Sequence, residues 1–100
     1  MTLSKHVQWD RTDRISFIKN TIGFGELIAE HESFKGGYRG LTSTGVIVIM
    51  DENHEKVITA YIANVQQAVS TYCIATKEEK VPSKLFQTIL RNRPLRAEQP

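Results

Sequence analysis

The sequence predicts an α+β fold: N-terminal helices, a small antiparallel sheet with a central hairpin, and C-terminal helices. Apolar residues recur at helical spacing near both ends, in "WDRTDRISFIKNTIG" and "PSKLFQTILRNRP". The middle, "TGVIVIMDENHEKVITAYIA", instead reads as two apolar runs joined by a polar turn. Helices, strands and helices follow in blocks and do not alternate, which excludes a doubly wound parallel sheet.

The first helix places Ile15, Ile18 and Ile22 on one stripe, with Asp10 or Thr12 as its cap and Gly23 as its left-handed stop. The segment "FGELIAEHESF" puts Phe24, Leu27, Ile28 and His31 on a second stripe, which predicts a second short helix. "KGGYRG" holds three glycines and reads as a turn or a mobile loop. A strand around Tyr38–Thr42 is expected to pair beside the hairpin, because two strands alone are rarely stable in water.

In the hairpin, Val46–Met50 is continuously apolar, as in a strand covered on both faces. "DENHE" is the turn. In the return strand Ile58, Ala60 and Ile62 are expected on one face, with Val57, Thr59 and Tyr61 on the other. Beyond it, "NVQQAVSTYCIATKEEK" has helical spacing, and Asn64 with Gln67 suits a capping box. The β-rich "VSTYCIAT" argues for a strand over the same residues. The last helix opens at Pro82, turns Leu85, Phe86, Ile89 and Leu90 inward, carries Arg91 and Arg93 at its end and stops at Pro94. A single domain over residues 1–96 is expected, with 97–100 as a frayed tail.

One hundred residues suffice for one core. No apolar run is long enough to span a bilayer, and the N-terminus lacks a signal pattern, so no membrane partner and a cytoplasmic location are expected. Cys73 is the single cysteine, which excludes an internal disulfide and fits a reducing compartment. His6, His31 and His54 share no metal-ligand spacing with it, so no metal site is expected. The net charge of +2 permits a nucleic-acid partner only where the cations cluster.

Three stretches could carry chemistry. His6 precedes the first helix beside Lys5, Arg11 and Arg14. Imidazole exchanges protons near neutral pH, and guanidinium forks match phosphate oxygens. A solvated basic helix face explains the same residues. In "FKGGYRG", glycines admit a ligand close to the backbone, Lys35 and Arg39 add charge, and Tyr38 offers a stacking surface. A plain glycine turn explains them equally. Thr59 and Tyr61 stand two apart on the return strand, where both residue types are also at home without a function.

Taken together, "SKHVQWDRTDRISFIKNTIGFGELIAEH" and "GVIVIMDENHEKVITAYIA" resemble the barnase–EndoU–colicin–RelE-like ribonucleases, in their small phage and mobile-element branch. The resemblance covers roughly the first two-thirds of the chain, in short motifs. It implies a metal-independent endoribonuclease of toxin or phage-accessory type, with RNA as substrate and no cofactor. His6 would be general base or acid; Arg11 or Arg14, together with Arg39, would hold the phosphate, and Thr59 and Tyr61 would contact it from the strand. Lys5, Lys35 and Tyr38 would bind RNA around them. Glu26, Glu30 or Glu55 could replace the histidine. The 2′-hydroxyl of RNA would be the nucleophile, so the protein need supply only proton transfer and cations. An immunity or antitoxin protein is the partner such a toxin implies, and the C-terminal helix could serve a homodimer. Two other classes stay open: a non-catalytic RNA- or protein-binding module on the same scaffold, and a phage structural or assembly protein.

Overall fold

The computed structural model describes residues 9–33 and 36–99, with side chains from residue 14 onward. Helix α1 (Trp9–Thr21) leads into a four-stranded antiparallel meander of β1 (Leu27–Glu32), β2 (Tyr38–Thr42), β3 (Val46–Met50) and β4 (Val57–Ile62). Helices α2 (Val65–Thr76), α3 (Ser83–Arg91) and α4 (Arg93–Glu98) follow. Strand order equals chain order, so every sheet connection is local and β1 and β4 are the edges. The α+β class is the one expected.

The sheet is covered on both sides, which explains why β3 is apolar throughout. On one face Val46, Val48, Val57, Ala60 and Ile62 bury against Ile15 and Ile18 of α1, with Leu95 of α4 alongside. On the other, Ala29, Leu41 and Ile47 bury against Ala68 of α2 and Leu85 and Ile89 of α3. Each fully buried isoleucine contributes about 1.5–3 kcal/mol through removal from water. Helix α1 ends where expected: Gly23 takes a positive φ of 71° and its N–H donates to the Ile18 carbonyl at 2.8 Å. The helix begins at Trp9, so Asp10 and Thr12 lie inside it and neither is its cap.

Four further expectations need correction. Residues 27–32 form β1 and not a second helix. Gly23 and Gly25, both at positive φ, break the chain after α1, and pairing with β2 overrides the helical spacing of the short apolar stripe. Second, the faces of β4 do not alternate throughout. Ile49 faces Thr59 and Met50 faces Val57, so Ile58 is an extra residue in a bulge. Val57 therefore joins Ala60 and Ile62 in the α1-side core, while Ile58 is exposed. Third, Leu90 points outward from α3. Fourth, the chain does not fray after residue 96. Pro94 occupies the first turn of α4, where its missing N–H costs nothing, and the helix runs to Glu98. Gln99 then accepts the Ile62 N–H of edge strand β4 at 3.0 Å through its side-chain carbonyl.

Helix α2 settles the competing readings of residues 69–76 in favour of helix. Asn64 accepts the Gln67 N–H at 2.8 Å and Gln67 accepts the Asn64 N–H at 2.9 Å, a complete capping box. Lys77 closes the helix in the left-handed conformation. No described helix is long and apolar enough to cross a membrane.

Candidate functional site

The pairing register lays the sheet's side chains out in rows. His31, Arg39, Ile49 and Thr59 form one row, and Ala29, Leu41, Ile47 and Tyr61 the next row on the same face, the one covered by α2 and α3. Glu32, Tyr38, Met50 and Val57 form a row on the α1 side, as do Glu30, Gly40, Val48 and Ala60.

These rows separate the residues expected to share one phosphate. Arg39, Thr59 and Tyr61 belong to the α2 side. Helix α1, which carries Arg11 and Arg14, covers the opposite side, and Tyr38 also faces that way. The Arg11 side chain, His6, Lys5 and Lys35 lie outside the described residues. Even on the α2 side the groups are spread out. Arg39 and Thr59 are separated by β3, roughly 10 Å between backbones. Arg39 uses its Nε to donate to Thr71 Oγ1 of α2 at 3.0 Å. Tyr61 packs half-buried against the cluster beneath α2 and α3.

His31 is an addition to this face. The Glu32 carbonyl lies 2.9 Å from its Nδ1 and can only accept, so the neutral ring carries its proton there and leaves a lone pair on Nε2. That Nε2 and Thr59 Oγ1 are the buried side-chain polar atoms without a partner among the described residues. They stand at opposite edges of the sheet, three strand spacings or roughly 14 Å apart, too far for one phosphate. The helical spacing of its segment puts His31 at a helix end, whereas the fold puts it in a strand. The turn glycines on both sides of "LIAEHE" are the signal for that strand.

Two cavities elsewhere gather charge of opposite sign. The first, about 510 Å³, is lined by Gly25, Glu26, Leu27, Glu30, Met50, His54 and Glu55. It unites the three carboxylates considered as proton-transfer groups, and Glu30 Oε1 meets His54 Nε2 at 2.7 Å. The Tyr38 ring stacks on that imidazole at 3.6 Å between centroids. Neither lysine nor arginine lines this cavity, so a phosphate would be repelled from it. Beside it, the Lys56 and Glu55 N–H groups donate to the Asp51 carboxylate and hold it below the ordinary carboxylate range.

The second cavity, about 310 Å³, is lined by Asn64, Val65, Gln66, Ile89, Leu90, Arg93 and Arg96. No carboxylate is among these residues, and neither arginine has an ion-pair partner among the described residues. The first turn of α2 forms one wall, and its Val65 and Gln66 N–H groups have no helical carbonyl to meet. Buried Asn92 fixes the opposite wall by donating its side-chain N–H to the Thr44 carbonyl at 2.7 Å. Two forked cations and a helix start suit an anion. In the sequence Arg93 reads as a helix-end charge, and nothing in the local pattern singles out Arg96. Only the fold brings them to α2.

No protein-family model, no curated protein and no solved structure matches the chain.

Proposed function

We propose that this chain is a non-catalytic RNA-binding module that holds the phosphate backbone through Arg93 and Arg96. The observation that carries the reading is the cavity these two arginines line, free of carboxylates and without ion-pair partners among the described residues. Phosphate contacts from guanidinium supply most of the affinity of sequence-tolerant nucleic-acid binding. RNA as the ligand comes from the resemblance of the first two-thirds of the chain to small ribonucleases. Binding without cleavage comes from the spacing of His31, Arg39, Thr59 and Tyr61, and from α1 lying across the sheet from the last two.

The test is fluorescence anisotropy with a labelled single-stranded RNA over a range of salt. Affinity should fall as salt rises, and changing Arg93 and Arg96 to Ala should lower the salt slope by about 1.4, about 0.7 for each phosphate that an arginine neutralises on a single strand. Incubation of the same RNA in EDTA should leave it intact. Cleavage to 2′,3′-cyclic phosphate ends would restore the ribonuclease reading, and a salt slope unchanged in the double variant would remove the arginine cavity from the account.

A further inference from the structure

The β3–β4 turn reaches β1 and β2 through the His54 side chain, while its Glu52 lies against Gly36 of the β1–β2 turn. His54 sits in that turn at a positive φ of 58°, a conformation few non-glycine residues adopt. From there its Nε2 reaches Glu30 Oε1 on β1 at 2.7 Å, and its ring lies against Tyr38 of β2 at 3.6 Å. The turn spans from β3 to β4, yet its anchor is on the two strands beyond β3. The contact stands at the wall of the cavity lined by Glu26, Leu27, Glu30, Met50 and Glu55.

We propose that His54 is a protonation-sensitive clasp, seating the β3–β4 turn on β1 and β2 when the imidazole is charged and loosening it when neutral. The neutral ring can donate one hydrogen bond to Glu30, whereas the charged ring makes the same bond as an ion pair. Among the described residues, Glu26 and Glu30 face the imidazole from β1 and the segment before it, and Glu55 from its own turn. Tyr38 faces it from β2, where an aromatic face also attracts a cation. Asp51 is bonded to the Glu55 and Lys56 N–H groups and stays ionised across the range in which imidazole titrates. Its own bonds to the turn therefore do not vary with pH over that range, which leaves the His54 contact as the one that does. This inference does not depend on RNA binding.

The experiment is amide hydrogen exchange of the intact protein at about pH 5.5 and about pH 8, corrected for intrinsic exchange, on either side of the usual histidine range. The His54, Glu55 and Lys56 amides, whose acceptors lie within the turn, report its opening. They should be roughly twofold to fivefold better protected at the lower pH, the range of a partly exposed ion pair. His54→Gln keeps a donor for Glu30 without a titratable proton and should abolish the difference while the β3 amides remain protected. Equal protection at the two pH values in the native protein would overturn the clasp. So would a pH difference that persists in His54→Gln.

Discussion

Arg39 on β2 and Thr71 on α2, thirty-two residues apart, are joined by a hydrogen bond of 3.0 Å from Nε to Oγ1. The Thr71 side chain is buried, so its hydroxyl has no water to turn to. Thr71→Val keeps the shape and removes the acceptor, leaving a guanidinium N–H unpaired beneath the helix. The expected cost is about 1–2 kcal/mol, below the full value for a charged bond because Arg39 is half-exposed. Urea unfolding should show a lower midpoint with an unchanged slope.

Acid should unfold the protein partly through Asp51. Its carboxyl is held below the ordinary value of 3.8 in the folded state, first by the Lys56 N–H and also by that of Glu55. A group depressed in this way contributes stability that is full above its unfolded value and is lost as pH falls through the folded one. Asp51→Asn should therefore flatten the acid limb of stability below about pH 4 and lower stability near neutrality. A series of thermal melts from about pH 2 to about pH 7 would measure both effects.

Asn64→Ala should break both halves of the α2 capping box at once. The Gln67 N–H loses its acceptor, and Gln67 loses the geometry that brings it back to the Asn64 N–H. About 1 kcal/mol is expected, with fraying confined to the first turn of α2. Amide exchange at Gln67 should rise before that of Ala68, whose N–H donates to the Asn64 carbonyl.

Gly37→Ala should cost more than either helix change. Gly37 holds a positive φ of 78°, and an added Cβ would stand 2.3 Å from the Met50 carbonyl oxygen. That oxygen is backbone in a paired strand and cannot step aside. A loss of more than about 2 kcal/mol is expected from strain and overlap together. Calorimetry should show it as a fall in Tm of several degrees.

Most of the architecture is legible in the sequence because it rests on local chemistry. Asn64 with Gln67 announces α2, Gly23 announces the end of α1, and the turn between Met50 and Val57 announces the hairpin. The segment that misleads is "FGELIAEHE", where apolar residues happen to fall at helical spacing. Its pairing partner, β2, is what makes it a strand, and pairing is invisible in a local pattern. The bulge at Ile58 is hidden for a related reason, since alternation can be counted but an extra residue cannot be told from a regular one. The candidate site is the least legible part. Arg93 and Arg96 meet Val65 only after α3 and α4 fold back across roughly thirty residues of chain.

The extra residue in β4 has an outcome for how this strand can change. Because Ile58 belongs to neither alternating series, its side chain answers to solvent while its neighbours answer to the two apolar layers. Lysine, glutamate or threonine can be installed there in mid-strand without disturbing a packed neighbour. This position, like Ile28 in the corresponding bulge of β1, is thereby uncoupled from the constraints that govern its neighbours.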